Sequence, residues 1–394
     1  MPGLALCMRP RGARGHGAAL TFVFASVLVT AAVTNCLPHE ENPPGRPVAR
    51  TAPGAGDGRG EVDQRELARA AAEAMADGKS GAKAAEEVVS RSGDRWGVVY
   101  DQREFEEFEQ ALDGRYTGVG LSARRAAGGL IEVARVQRGG PADRAGLRPG
   151  DRIRAVDGRP VDGRSAAEVV ALLRGEGAPP GSPVAVAVQR GTRAWTRTLR
   201  RASLATEDVT VRRLAGGALT IRVEAFTKGT GRRVRDAVRT APGGAGVLLD
   251  LRGNSGGLVT EAVTAASAFL DGGLVATYDV HGEDRALYAQ PGGDTRRPVV
   301  ALVDGGTMSA AELFAGALKD RGRAVTVGSR TFGKGAVQLP SRLPDGSVAE
   351  LTVGHYRTPA GHTVDGRGIV PDVVVADRAE ERARTVLSGL GGRS

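Results

Sequence analysis

Cysteine is almost absent from this sequence. Of 394 residues only two are cysteines, Cys7 and Cys36, and both lie near the N-terminus. The rest of the chain therefore has no disulfide framework and no cysteine-based metal site. Because the cysteines say nothing about the redox compartment, that compartment has to be inferred from targeting.

Aromatic residues are also scarce. They make up 4% of the chain, so the core has to be packed mainly from alanine, valine and leucine. The net charge is +9, but the arginines are spread along the sequence, and no aromatic residues are interleaved with them. A nucleic-acid-binding surface usually combines these features in one patch. We therefore predict no nucleic-acid partner and interpret the arginines as a solvated surface.

The N-terminal segment has the pattern of an export signal. Three arginines within residues 9–14 precede an uncharged, mostly apolar run at Ala18–Val33. This run is slightly short for a full membrane span of about 20 residues, so a cleaved signal and a retained anchor both fit. We predict a signal peptide or membrane anchor over 1–36 and a flexible linker over 37–60. The rest of the chain is then extracytoplasmic, either secreted or associated with the membrane through this segment.

Length and periodicity divide the remaining chain into three predicted regions. Residues 61–113 form a helical segment in which Phe105 and Phe108 recur at helical spacing. Residues 114–203 form a β-rich domain of short strands and tight turns with two helices. From 204 to 385 strands alternate with helices, which predicts an α/β domain with a largely parallel sheet.

The β-rich region resembles a PDZ domain. The resemblance is carried by Y-T-G-V-G-L at 116–121, G-P-A-D-R-A-G-L-R-P-G-D-R-I at 140–153 and V-D-G at 156–158. Such domains bind a peptide C-terminus as an added strand and hold its carboxylate on backbone N–H groups. The resemblance implies that this loop is formed by Thr117, Gly118, Val119, Gly120 and Leu121.

Two residues of the α/β region have the chemistry of a nucleophile and its base. Ser309 follows an apolar strand and opens a helix, where the helix dipole favours developing negative charge, although helix capping is a competing interpretation. Lys334 lies between two glycines, and burial there would lower its pKa toward neutrality. Gln338 is an even step away, so in an extended strand it would share a face with Lys334 and could orient the amine.

Histidine offers no clear alternative base. The five histidines are His16, His39, His281, His355 and His362. The first two lie in the leader and linker, and none is in a recognisable triad context, although pairing in space stays open.

From residue 93 to 375 the chain resembles the C-terminal processing peptidases, the tail-specific Ser/Lys proteases. The motifs are D-L-R-G-N-S-G-G at 250–257, the turn at Ser309, T-F-G-K-G-A-V-Q at 331–338 and G-I-V-P-D-V at 368–373. The resemblance implies an α/β crotonase-like (ClpP/crotonase-type) core with an inserted PDZ domain and an N-terminal helical segment.

The resemblance also implies the roles of the site residues. Ser309 is the nucleophile, Lys334 the general base and Gln338 its orienting partner, while Gly256 and Ala310 donate the oxyanion N–H groups. No cofactor or metal is implied, and the partners are proteins with exposed C-termini. Arg174, at the end of a PDZ helix, is a candidate latch to the catalytic domain.

Two other functions compete with proteolysis. One is a catalytically inactive PDZ adaptor, and the other is an acyl-CoA enzyme suggested by the crotonase-like fold alone. The chain departs from the family pattern at Ser255, where proline is usual, and at Met308, where small residues are frequent. Neither change removes a catalytic group. Met308 lies beside the nucleophile and could narrow the primary substrate pocket, so we expect it to affect the cleavage preference and not the activity.

Overall fold

A computed structural model describes residues 64–391 except 176, 215 and 281–282. The predicted leader at 1–36 and linker at 37–60 lie outside these residues. Within the described part of the chain, no helix has the length and apolarity needed to cross a membrane.

The N-terminal region is helical but also contributes a strand to the catalytic half. Its elements are α1 (Gln64–Ala76), α2 (Gly81–Ser92), β1 (Val98–Tyr100) and α3 (Gln102–Leu112). Helices α1 and α2 pack their apolar faces, through Leu67 and Val88, against Leu351 far along the chain. This packing joins the start of the described chain to its C-terminal half.

The β-rich region is built on an antiparallel sheet with two helices. Its elements are β2 (Arg115–Gly118), β3 (Leu121–Arg125), β4 (Ile131–Val136), α4 (Pro141–Arg144), β5 (Arg152–Val156), β6 (Arg159–Pro160), α5 (Ala166–Arg174), β7 (Pro183–Arg190), β8 (Arg193–Arg200) and β9 (Ala202–Ala205). The sheet order is β3-β4-β5-β7-β8, with β6 beside β5. Strands β2 and β9 pair with each other, so the chain enters and leaves this domain through one two-stranded stalk.

The C-terminal region contains a mixed sheet that is mostly parallel. Its elements are β10 (Val209–Arg213), β11 (Leu219–Val223), α6 (Thr230–Arg239), β12 (Val247–Asp250), α7 (Val259–Ala266), β13 (Leu274–Val280), β14 (Glu283–Tyr288), β15 (Val299–Val303), α8 (Ala310–Asp320), β16 (Val325–Gly328), β17 (Ala336–Arg342), β18 (Val348–Arg357), β19 (Val373–Val374) and α9 (Ala379–Gly391). The order is β10-β11-β12-β15-β16-β19, and every pair but β10-β11 is parallel. The predicted α/β alternation is therefore present.

The sheet is covered on both faces, as its continuous apolar strands require. Alternate residues of β12 point to opposite sides, so Leu249 packs with α6, α7 and α8. Leu248 packs instead with Leu387 of α9. The loops that follow β12 and β15 therefore meet at the carboxyl edge of the sheet, where α/β folds commonly hold their sites.

A second, antiparallel sheet closes over this edge. Strand β18 pairs with β17 along most of its length and with β13 at its end. Strand β1 pairs beside β18, placing Val98 opposite Glu350. The N-terminal region thereby becomes one wall of the pocket described next.

Candidate active site

The turn before α8 is tied to the loop after β12. Asp304 Oδ1 accepts hydrogen bonds from Gly306 N and Gly253 N, both at 2.9 Å. Met308 N donates to Asn254 O at 2.9 Å. These bonds fix the position at which the chain turns into α8.

Ser309 lies at this turn in a backbone conformation that L residues rarely adopt. Its φ is 54° and its ψ is −118°, and the side chain is fully buried. Such a conformation costs about 1–3 kcal/mol and persists only where the surroundings enforce it. Among the described residues, Ser309 Oγ has no hydrogen-bond partner, so its hydroxyl does not cap the helix. The Glu312 carboxylate still accepts from Ser309 N, so this half of a capping box is present while the hydroxyl is unpaired within the described part of the chain.

The carboxylate of Glu312 holds this turn to the loop that carries Lys334. Its Oε2 accepts from Ser309 N at 2.9 Å and from Lys334 N at 2.8 Å. Its Oε1 accepts from Thr331 Oγ1 at 2.5 Å and from Gly333 N at 2.7 Å. Burial raises the pKa of Glu312, and these four hydrogen bonds oppose the rise. The carboxylate is buried and uses all its acceptor capacity within the site.

Tyr356 contacts the same two backbone units from the other side. Its buried hydroxyl lies 2.9 Å from Ser309 O and 3.2 Å from Lys334 O. Burial raises the pKa of Tyr356 well above its usual value, so the hydroxyl stays protonated as a donor. Ser309 and Lys334 are thus held between one carboxylate and one phenol.

The Lys334 side chain is buried beneath the N-terminal region. It is 1% exposed, and its Nζ lies 5.5 Å from the centre of the Trp96 ring. Burial lowers the pKa of Lys334 to about 8, while the charges of Glu350, Asp94 and Asp365 oppose that shift. An amine with this pKa is partly neutral near physiological pH and can accept a proton.

The prediction that Gln338 orients Lys334 assumed that both residues lie in one extended strand. The structure does not show such a strand. Strand β17 begins at Ala336, after Lys334, and a bulge falls between Val337 and Gln338, so strand alternation does not link the two side chains. Gln338 Nε2 donates to Trp96 O at 2.6 Å, and its buried Oε1 has no partner among the described residues. Both side chains nevertheless adjoin Trp96, and the orienting role stays a prediction.

Gly256 lies directly against the Ser309 turn. A Cβ at this position would be 3.0 Å from both Met308 O and Ser309 Cβ and 3.3 Å from Ala310 N. No described residue accepts from the Ala310 N–H, whereas Gly256 N donates to Asn254 Oδ1 at 2.9 Å. In this conformation Ala310 N–H is free to bind an oxyanion, and Gly256 N–H would have to exchange its present acceptor.

The PDZ loop lines a cavity of about 310 Å³ through Val119 and Gly120. Val119 O and Gly120 O accept hydrogen bonds from neighbouring backbone, but no described residue accepts from the N–H of either residue. The cavity is also lined by Leu121, Val170 and Leu173, which make part of its wall apolar. Thr117 and Gly118, by contrast, lie in β2 and pair with Ser203 and Ala202.

Arg174 makes a cation–π contact within the PDZ domain. Its guanidinium lies 5.2 Å from the centre of the Tyr116 ring. It lines the PDZ cavity together with Glu224, which follows β11 of the catalytic region. No ion pair joins Arg174 to a described residue of that region, so the latch stays a prediction.

Three residues of the site were not identified from the sequence. Glu312 follows Ser309 by three residues, a spacing that equally marks a capping box. Tyr356 and Trp96 come from distant parts of the chain, and no local pattern connects them to Ser309 or Lys334. Within the described ranges, no cluster of His, Cys, Asp or Glu is arranged to hold a metal ion.

Comparison with known families assigns both domains. Residues 218–375 match the model of peptidase family S41, and residues 132–190 match a PDZ domain model. The PDZ domain predicted from the sequence is confirmed by this match.

Individual relatives agree with these matches. The chain is 31% identical over 291 residues to the carboxy-terminal processing protease CtpA of Bacillus subtilis (strain 168), covering 73% of this chain and 62% of that protein. It is 33% identical over 295 residues to a probable CtpA-like serine protease of Staphylococcus aureus (strain N315), covering 73% and 58%. This chain therefore spans less than two thirds of either relative's length. A solved photosystem II D1 C-terminal processing protease is 28% identical with a TM-score of 0.50, covering 84% of this chain and 97% of that one.

Proposed function

We propose that this chain, whose residues 218–375 match peptidase family S41, is an exported serine endopeptidase that cleaves proteins at or near their C-termini. One observation carries the proposal: the backbone N–H groups of Ser309 and Lys334 share a single oxygen of buried Glu312. This arrangement brings a serine at a helix N-terminus and a buried lysine of lowered pKa into one site. A nucleophile and a base held in this way are the requirements for acyl transfer.

In the proposed mechanism, neutral Lys334 accepts the Ser309 proton as Ser309 Oγ attacks the substrate carbonyl carbon. The N–H groups of Ala310 and Gly256 stabilise the oxyanion, a contribution of about 10²–10³ in rate for each donor. Lys334 then protonates the leaving amine and an acyl-enzyme remains. Water gives a proton to Lys334 as it attacks the ester, and that proton returns to Ser309 Oγ. Because Ser309 Oγ has no hydrogen-bond partner among the described residues, a side-chain movement has to bring it to the amine.

Substrate recruitment is proposed to occur at the PDZ cavity. In this proposal the N–H groups of Val119 and Gly120 bind a terminal carboxylate, and Leu121 and Leu173 contact an apolar side chain; all four residues line the cavity. We also propose that the segment at 1–36 exports the chain or anchors it to the membrane. We also propose that the core has the crotonase-like fold that the resemblance implies, and its mostly parallel sheet with helices on both faces supports this.

The test is cleavage of an unfolded protein that ends in apolar residues. Wild type, Ser309→Ala and Lys334→Ala are incubated with it, and the fragments are analysed by mass spectrometry. We expect cleavage by wild type alone. Equal cleavage by all three would contradict the assignment, and binding without cleavage by wild type would instead support the adaptor function.

A further inference from the structure

Glu350 is a second buried carboxylate near Lys334, and it has no place in the mechanism above. The residue lies on β18, between Val98 of β1 and Pro340 of β17. It is fully buried, and no described residue donates a hydrogen bond to either of its side-chain oxygens. Burying a carboxylate without hydrogen bonds is costly, so a structural role alone does not account for it.

Glu350 and Lys334 lie close enough for their charges to interact, and Trp96 adjoins Lys334. The Trp96 ring faces Lys334 Nζ, while Trp96 O accepts from Gln338 Nε2. The same Gln338 Nε2 lies 3.5 Å from Glu350 O. Lys334 and Glu350 are thus both buried beside Trp96 and Gln338, and neither side-chain oxygen of Glu350 has a hydrogen-bond partner among the described residues.

Several other titratable groups face this pair. They are Asp94, Arg95 and Tyr100 of the N-terminal region, Glu312 of α8, His355 and Tyr356 of β18, and Asp365 of the following loop.

The other carboxylates near Lys334 are already engaged. Asp94 accepts from Thr352 N and Thr352 Oγ1 at 2.8 and 2.7 Å. Asp365 accepts from Trp96 Nε1 at 2.9 Å and from Gly335 N at 3.1 Å. Hydrogen bonds to the charged form keep a carboxylate ionised. Glu350 lacks them and is therefore the carboxylate best suited to take up a proton.

We propose that Glu350 is a positioning residue that pairs with the Lys334 ammonium and, by exchanging one proton with it, sets how much of the neutral amine that Ser309 requires is present. In this step one N–H bond of Lys334 breaks and one O–H bond of Glu350 forms. The buried ion pair becomes a buried neutral pair, and no proton has to reach solvent. The proton stays on Glu350 while Lys334 accepts and returns the Ser309 proton. This inference rests on the proposed function, because it assigns the control of the same base.

The energetics of the two groups permit this exchange. Burial raises the pKa of Glu350 to about 7, and the charge of Lys334 opposes the rise. Burial lowers the pKa of Lys334 to about 8. Because the Lys334 value is about one unit higher, the ion pair is about tenfold more populated than the neutral pair, which is the minor, reactive form. Two groups coupled in this way titrate in two steps that belong to the pair.

The test measures the titration of Lys334 directly and does not depend on cleavage. The chain has five lysines, so the ¹³Cε resonance of each can be followed by NMR in the full chain carrying Ser309→Ala. The Lys334 resonance is identified by its loss in Lys334→Arg. We expect two titration steps with Glu350 present. With Glu350→Gln, which mimics the protonated acid, we expect one step at about one pH unit lower.

A parallel measurement uses cleavage by the chain that retains Ser309. In Glu350→Gln, the acid limb of kcat/KM should move to lower pH by about one unit, raising kcat/KM at pH 7 about fivefold. Glu283→Gln, on exposed β14, is the matched control and should shift neither measurement. Glu350→Asp keeps a carboxylate and should keep the two-step titration.

The outcomes separate this inference from the proposed function. An unchanged Lys334 titration in Glu350→Gln, or a single step in both wild type and Glu350→Asp, would overturn the role of Glu350. A two-step titration in a chain that cleaves nothing would support the pair and contradict the proteolytic function.

Discussion

Ser309 and Lys334 donate their backbone N–H groups to the same oxygen atom, Oε2 of Glu312, at 2.9 and 2.8 Å. The proposed nucleophile and base are therefore positioned through their backbones, before any contact between their side chains. A shift of about 1 Å at a reacting centre can cost about 10²-fold in rate. Because the Glu312 carboxylate fixes the distance between the backbones of Ser309 and Lys334, we expect it to matter to activity as much as to stability.

Glu312→Gln should lower kcat/KM by about 100-fold. The amide replaces one acceptor oxygen by an NH₂ group. The groups that donate to that oxygen in the wild type would then face another donor. The lost bonds should also reduce the free energy of unfolding by about 2–4 kcal/mol. Kinetics and denaturant unfolding measure the two effects. Wild-type kcat/KM in a folded Glu312→Gln chain would contradict this role.

Gly256→Ala should displace the Ser309 turn. The new Cβ would lie 3.0 Å from Ser309 Cβ and from Met308 O, at a backbone φ of 99°. We expect kcat to fall by about 10²-fold with little change in KM, because the loss affects the oxyanion site. Gly253→Ala is the matched control, since its φ is also positive, at 69°, but its Cβ would contact nothing within 4 Å. An equal loss in both variants would attribute the effect to backbone strain.

The pH dependence of the wild-type reaction should follow the deprotonation of Lys334. The base has to be neutral, and its pKa is lowered to about 8 by burial. We therefore expect kcat/KM to rise with pH below about 8 and to level off above it. Initial rates between about pH 6 and pH 10 provide the measurement. A flat profile over this range would show that another group supplies the base.

Amidation of the substrate C-terminus should weaken recruitment. Val119 and Gly120 offer N–H groups to a carboxylate, and hydrogen bonds to a charged acceptor contribute about 1.5–3 kcal/mol. We expect KM to rise about tenfold or more for a peptide amide, compared with the same peptide carrying a free carboxylate. Equal KM values for the two peptides would show that the PDZ loop does not bind the substrate carboxylate.

The sequence pattern predicted the strand before Ser309 and the helix after it, because both are determined by residues that are close together in the chain. The apolar run at Val299–Val303 forms a fully buried strand, and the helix begins at Ala310. The positions of Ser309 and Lys334 relative to each other depend instead on Glu312 and Tyr356. Apart from the bond between Glu312 and Ser309 N, their hydrogen bonds join residues 19–47 positions apart, which no periodicity encodes.

Two features of the pocket around Lys334 could not be predicted from the sequence, each for a different physical reason. The contact of Gln338 with Trp96 spans 242 residues, across the whole PDZ domain. Glu350 lies between Ala349 and Leu351, an alternation that usually marks a solvent-facing side chain. Here β18 is covered on both faces, so residues 348–351 are all buried. Burial of the glutamate follows from tertiary packing and leaves no trace in the local pattern.

Covalent trapping tests the central claim most directly. The chain is treated with a fluorophosphonate at about pH 9, and the adduct is located by peptide mass spectrometry in wild type, Ser309→Ala and Lys334→Ala. We predict a single adduct on Ser309, absent from Ser309→Ala and formed at least about 100-fold more slowly in Lys334→Ala. An adduct on another residue, or labelling of Ser309 at the same rate without Lys334, would contradict the assignment of this nucleophile and its base.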